Sequence, residues 1–411
     1  MSIMKRSFSH RKHIAVFACA VFFLFVAGCL FAKIQPLVAP EKPAFFKLTL
    51  SDYPDFTDDM VYDGLEYGIL QSTVYLKRIP LATKFSFGKD SFTTAHMIRS
   101  LEHFLSFIQA KPSQQDLNKF IRSHYLVYKS SGNSEPGPVL FTGYYEPILQ
   151  GSLQPSAEYS FPVYARPDDL ITIDLSLFSP QLQGKKIIGR YTSDKTVIPY
   201  YDRKTIEHEG FLSGKARPLA WVKDRVDLFF LQIQGSGKIH LNTGPTINFH
   251  YDTSNGQPYR SIGNLLIEKG KIPKDQMSMQ KIRAYLHEHP EEIETVLYYN
   301  PSYVFFNIVK EGPLGCINVN LTPGRSIATD KTIFPLSALA FIETKKPLID
   351  GAGQIHTWTD CKRFVLNQDT GGAIKGPGRA DLFWGNGTYA EIAAGYMQHP
   401  GNLYFLILNP D

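Results

Sequence analysis

Two aspartates, Asp369 and Asp381, bracket the stretch of this chain best equipped for chemistry. Between them lie Gly371, Gly372, Gly376 and Gly378, with Lys375 and Arg379 interspersed. Glycine at this density lets backbone approach a ligand closely and supplies φ values that other residues resist. Asp381 then opens an apolar run, Leu382-Phe383-Trp384, that ends at Gly385 and Gly387. A carboxyl beside large aromatics is open to desolvation, which raises its pKa and suits it to donate a proton near neutrality. The same pattern also suits a tight turn whose aspartates only bond backbone amides. The rest of the chain has to separate these readings.

Other chemistries drop out by elimination. The sequence holds no HExxH, no GxSxG and no Cys/His grouping at zinc spacing. The glycine stretch lacks the GKS or GKT ending of a phosphate loop. No cofactor is expected. Further polar groups that suit sugar hydroxyls stand in two β-like runs. The first, Phe141-Thr142-Gly143-Tyr144-Tyr145-Glu146-Pro147, offers Thr142 and Tyr144, although tyrosines are also ordinary strand formers. The second, Leu231-Gln232-Ile233-Gln234-Gly235-Ser236-Gly237, reads as a strand with Gln232 and Gln234 on one face; sugar hydroxyls or a structural hydrogen-bond network would satisfy them.

The elements that must position these groups come next. The N-terminus has a basic segment (Lys5, Arg6, Arg11, Lys12) and an apolar run from Ile14 to Val26, followed by Val26-Ala27-Gly28-Cys29, which resembles a bacterial lipobox. The expected division is a signal peptide over 1–28 and a lipidated tether over 29–43, with Cys29 as the acylated residue; a single-pass membrane anchor and an ordinary signal peptide are the alternatives. Leu30 after the cysteine implies transport to the outer membrane. Removing the four cations of the signal takes the formal charge of +5 to about +1, which gives no basis for a nucleic-acid partner. An oxidising compartment would allow the two remaining body cysteines, Cys316 and Cys361, to pair.

Helices are expected from Thr57-Asp58-Asp59 onward, over Thr93 to Gln109, and from Ser113 toward His124. From Val139 the pattern changes to short β runs as far as Leu241, with further helices between Ser261 and Tyr298. Short strands are then expected at 319–322, 333–335, 337–344, 364–368 and 403–408, with a helix over Tyr389 to Met397.

The motifs in 141–147 and 231–237, Asn300-Pro301-Ser302-Tyr303-Val304-Phe305-Phe306, Asp369 to Gly376 and Asp381 to Gly385 together resemble the membrane-bound lytic murein transglycosylase A family, in order across nearly the whole body of the chain. The resemblance implies a mainly β protein with peripheral helices: a double-psi β-barrel formed by 44–147 and 242–411, carrying a smaller inserted β domain over 148–241. It identifies Asp360, Asp369 and Asp381 with the three aspartates of the family's 3D segment. It further implies non-hydrolytic cleavage of the β-1,4 bond between N-acetylmuramic acid and N-acetylglucosamine in peptidoglycan, leaving 1,6-anhydromuramoyl ends.

The sugar's own C6 hydroxyl can close the ring, so one carboxyl can serve as acid and then base. Asp381 is the expected acid, protonated at rest through its aromatic neighbours, and Asp369 orients the loop or stabilises charge on the sugar. Thr142, Tyr144, Gln232, Gln234, Ser236 and Trp384 are the expected substrate contacts, with Lys375 meeting a lactyl or stem carboxylate. The expected partners are glycan strands, outer-membrane lipid through Cys29, and cell-wall synthases. A hydrolytic muramidase and a non-catalytic peptidoglycan-binding lipoprotein are the alternatives.

Overall fold

The computed structural model describes residues 44–132, 137–182, 184–208 and 210–410. The expected signal, Cys29 and the tether lie outside them. Two of the early helices begin where side-chain caps satisfy their first amides. Thr93 accepts from His96 N at the head of Thr94–Ile108, which buries Met97, Leu101, Phe104 and Ile108. Ser113 accepts from Asp116 N ahead of Gln114–His124. The helix expected from Thr57 starts only at Leu65 and runs to Leu76. Asp58 does not cap it; it pairs with the buried Arg325 instead.

Six strands close into a barrel: β1 (Val139–Tyr144), β2 (Ser326–Ala328), β3 (Leu339–Ile349), β4 (Ile355–Asp369), β5 (Arg379–Phe383) and β6 (Gln398–Leu408). Around the wall the order is β1, β5, β2, β4, β3, β6 and back to β1. β1 pairs with β5 and β2 with β4 in parallel, while the remaining pairs are antiparallel. This is the double-psi arrangement implied by the resemblance. Phe341, Phe364, Leu366, Leu382 and Phe405 fill its core. Tyr125–Ser130 extends the wall beyond β6, and the early helices cover it. The stretches at 319–322 and 333–335 are not strands: Asn320 makes only an isolated bridge, and 333–335 lie in a turn closed by Ile333 N and Phe334 N on Asp330 O.

Between β1 and β2 the chain builds a six-stranded sheet, in the order Val304–Val309, Thr246–Ser254, Ser236–Leu241, Ile148–Ser152, Pro218–Val222, Phe161–Tyr164. This sheet does not stop at Leu241. A tight turn, with Gly244 N donating to Leu241 O, folds Thr246–Ser254 back onto Ser236–Leu241, and Val304–Val309 pairs on its far side. The inserted sheet therefore ends at Val309. The stretch 231–237, read as a strand, is helix as far as Gln234, the end of Arg225–Gln234, and strand only from Ser236. Asp224 caps the helix by accepting from Val226 N and Asp227 N, and Gly235 ends it at φ 78°. Cys361 lies in the barrel core and Cys316 on the surface, both as free thiols, so the expected pairing is absent.

The buried pair Arg325–Asp58 ties the barrel to the segment preceding the first helix. Arg325 donates to both Asp58 oxygens (2.6 and 2.8 Å), to Asp63 O and to Phe364 O. Removing one member would leave a buried charge uncompensated, so Arg325→Met should lower the stability read from urea unfolding by about 3–5 kcal/mol. A loss below about 1 kcal/mol would show that the pair is not needed to hold this segment.

Candidate active site

The barrel registers place the chemistry in one row. Gln398 of β6 pairs with Thr142 of β1, Thr142 with Asp381 of β5, Asp381 with Ala328 of β2, and Ala328 with Asp369 of β4. Residues paired across a sheet share a face, and adjacent strands lie about 4.8 Å apart. Asp381 and Asp369 therefore stand two strands apart, with only the small Ala328 between them. Alternation along β5 sends Ala380 and Leu382 into the core and leaves Arg379 and Asp381 outside. A register shift between Ile327 and Ala328 brings Asp369, not Gln368, opposite Ala328. The bulge thus turns Asp369 onto the face of Asp381, while the buried Gln368 amide accepts from Ser326 and donates to Gly68 O and Ser72.

Close approach dictates the residue beside Thr142. A Cβ on Gly143 would lie 2.7 Å from both Ala394 Cα and Trp384 Nε1. Trp384 fills the space beneath β1 as a core residue. It does not line the groove, which corrects its reading as a substrate contact.

The environments of the two carboxylates differ. Asp381 Oδ1 accepts from the Thr142 hydroxyl at 2.5 Å and from Arg379 Nε at 3.1 Å; Oδ2 meets Arg379 only at 3.4 Å. These polar neighbours, rather than the rings of Phe383 and Trp384, reach its carboxylate. Asp369 Oδ1 accepts from Cys316 N (3.0 Å) and Thr370 N (2.8 Å). Its own surface is only partly covered, yet protein surrounds it. Burial lifts its pKa to about 6, the amide bonds oppose that rise, and the charge of Asp381 adds to it. Tyr144 sits beside it, its enclosed hydroxyl facing the Asp369 carboxylate without a well-formed hydrogen bond among the described residues. Burial and then the Asp369 charge hold that phenol in its neutral form. The carboxyl shifted by burial is thus Asp369.

A groove of about 1240 Å³ runs over this row. Thr142, Tyr144, Asp369 and Asp381 line it from the barrel, and Gln232, Gln234, Ser236 and His250 from the inserted part. The helix separates the two glutamines that a strand would have aligned. Gln232 is buried with an Oε1 that has no partner among the described residues, whereas Gln234 Oε1 accepts from Tyr145 N and ties the helix end to the barrel. Ser236 bonds the His250 ring at 3.2 Å.

Lys375 is exposed and is not among the lining residues; Lys331 is. Asp360 stands on β4 beside the exposed Lys345, away from the groove. The other aspartate on the groove lining is Asp252 of the inserted sheet, and behind the lining stands Asp330. It accepts from Gly376 N at 2.9 Å and from Thr332, and so pins the glycine loop. Its Asp-Lys-Thr turn was the sequence signal, since Asp330 bonding two residues ahead is an Asx turn.

A double-psi barrel with aspartates in the floor of a groove, roofed by an inserted sheet, defines the class of 3D-domain proteins with this kind of insert. Residues 140–307 match the family described as the MltA specific insert domain, and 325–407 match the 3D domain. Membrane-bound lytic murein transglycosylase A of Escherichia coli (strain K12) is 32% identical over 287 residues, covering 69% of this chain and 70% of that protein. The protein of the same name from Vibrio cholerae is 29% identical over 280 residues, 67% of each. Among solved structures, membrane-bound lytic murein transglycosylase from Agrobacterium tumefaciens superposes with TM-score 0.73 at 28% identity, over 89% of this chain and 98% of that one. E. coli MltA with bound chitohexaose gives 0.69 at 25% identity, over 90% and 97%. The chain belongs to the membrane-bound lytic murein transglycosylase A family.

Two expectations follow from this geometry. Folding raises the Asp369 pKa from 3.8 to about 6, so between these values the folded state binds the proton more tightly than the unfolded one. The associated stability is present below about pH 4 and is lost as pH rises through about 6. The urea midpoint of wild type, measured against that of Asp369→Asn, should fall across this window; identical pH slopes would contradict the assignment. Gly143→Ala should cost about 1–3 kcal/mol, because β1 must move off Trp384 and Ala394, and thermal melting checks it.

Proposed function

We propose that this protein is a peptidoglycan lytic transglycosylase that acts on glycan strands held in the groove, with Asp381 performing both proton transfers. The observation that carries this reading is the Asp381 carboxylate within the groove, one oxygen held by Thr142 and Arg379 and the other less engaged. Membership of a family whose named relatives are murein transglycosylases supports it, as does the structure of E. coli MltA with bound chitohexaose.

In the reaction, protonated Asp381 donates to the N-acetylglucosamine O4 as the bond from muramoyl C1 to that oxygen breaks. Negative charge then appears on Asp381, where the Thr142 hydroxyl and the Arg379 guanidinium already point. Donors set in place for charge that develops only during reaction lower the barrier without reorganisation. Asp381 next accepts the C6 hydroxyl proton as O6 bonds to C1 and closes the 1,6-anhydro ring. The protonated carboxyl is restored and no water is consumed. Asp369, charged above about pH 6, lies along the same row and opposes the positive charge that builds on the sugar ring. Gln232 and Ser236, which line the facing wall, supply sugar contacts.

One feature favours a second reading. Two strands of separation, about 10 Å between backbones, approaches the spacing of an inverting hydrolase pair, about 6.5–9.5 Å between carboxyls. Asp369 would then activate water, and the new end would be reducing.

The location proposed with this activity is the periplasmic side of the outer membrane, anchored through acylated Cys29, with cell-wall synthases as protein partners. No helix among the described residues is long and apolar enough to cross a membrane.

Mass analysis of products from purified sacculi tests the chemistry. Wild type should release anhydromuropeptides, and Asp381→Asn should lower the rate by about 10²–10⁴-fold. Reducing ends would select the hydrolytic reading, and intact sacculi with bound wild-type protein would select a binding function.

A further inference from the structure

Three cations line the groove: Arg203, Arg379 and Lys331. Arg203 is buried against Glu207 at 2.7 Å, and Arg379 is paired with Asp381 at 3.1 Å. Lys331 is exposed and has no carboxylate partner among the described residues. Its backbone is nonetheless held firmly. Asp330, immediately before it, accepts from Gly376 N and Thr332 N, and Thr329 N donates to Asp369 O. The lysine thus springs from a braced turn at the Asp369 end of the row. Its charge is felt by the Cys316 thiol, whose own backbone N–H holds Asp369. An exposed ammonium on the lining of a substrate groove, without a carboxylate partner among the described residues, suits an anion from the ligand.

The glycan backbone of peptidoglycan is neutral at its hydroxyl and acetamido groups, so that anion must come from elsewhere on the strand. The carboxylates belong to the stem peptide, which hangs from C3 of the muramoyl unit through the lactyl group. That unit is the one whose C1–O bond is broken at Asp381. Lys331 follows Asp330 in the turn that leaves β2, three residues beyond Ala328, which pairs with Asp381 on one side and Asp369 on the other. An extended peptide advances about 3.3–3.6 Å per residue, which brings the first few stem residues within reach of a lysine side chain.

We propose that Lys331 forms a subsite for the carboxylates of the stem peptide, so that the enzyme discriminates glycan bearing an anionic stem from the same glycan with a neutral one. This rests on the transglycosylase reading and adds to it a substrate class that the floor of the groove does not determine. Lys331 replaces the exposed Lys375 in that role.

The test uses one batch of peptide-bearing glycan strands in two forms, native and with stem carboxylates converted to amides. Wild type should show a kcat/KM about two- to fivefold higher on the native strands, in keeping with one exposed charge contact. The preference should shrink at 0.5 M salt, where the screening length falls well below 10 Å. Lys331→Gln should bring the native-to-amidated ratio to about one, and Lys331→Arg should keep it. An equal ratio in wild type and Lys331→Gln, or no preference in wild type, overturns the subsite. Should wild type cut neither form, the transglycosylase reading fails, and the same two strands are scored by dissociation constant instead. Collapse of that ratio in Lys331→Gln supports the subsite, and an unchanged ratio overturns it.

Discussion

The parallel pairing of β1 with β5 is the constraint on which the site depends. It brings Thr142 within hydrogen-bonding distance of Asp381 across 239 residues of chain. A parallel pair cannot be joined by a tight turn, so a long connection is required between its strands. Here that connection carries the inserted sheet and the barrel strands β2, β3 and β4. The insert leaves the barrel directly after β1 and roofs the groove beside the strand it left, with Gln234 and Lys238 tying it back to Tyr145 and Glu146. One strand pairing thus sets both the floor of the groove and the origin of its roof.

The carboxylates show how one face of a barrel sustains two electrostatic environments. Asp381 is met by a hydroxyl and a guanidinium, whereas Asp369 is met by backbone amides and an enclosed phenol. Both are braced from behind, the first by the exclusion of any side chain at Gly143 and the second by the bulge at Gln368 and the turn at Asp330. Oriented donors and local burial, rather than net charge, distinguish their roles.

Much of this was legible in the sequence because it depends on local pattern. The capped helices at Thr93 and Ser113, the strand through Thr142 and the paired aspartates follow from residue types and spacing. The stretch 231–237 misled because its alternating apolar and polar residues fit a strand, whereas the helix that ends at Gln234 is settled by its caps, Asp224 and Gly235. Four further points needed tertiary information. The β4 bulge is invisible to alternation, and only pairing shows that Thr246–Ser254 stays in the inserted sheet. Asp360 and Asp330 are equally plausible aspartates until the loop that Asp330 grips is seen. Likewise, Trp384 beside Asp381 in sequence is turned into the core by strand geometry.

The order of strands along the chain has a consequence for biogenesis. β1 acquires both its barrel neighbours from the C-terminal part of the chain, β5 at 379–383 and β6 at 398–408. Contacts of such long sequence separation form slowly, because their loop-closure entropy precedes the gain. A polypeptide emerging from a ribosome or a translocon N-terminus first therefore exposes β1 with its edges unpaired until nearly the whole chain has passed. Catalytic competence arrives only with β5 and β6, so a nascent or prematurely truncated molecule has no assembled groove with which to cut the wall, and its open edge is a template for wrong pairing until they arrive.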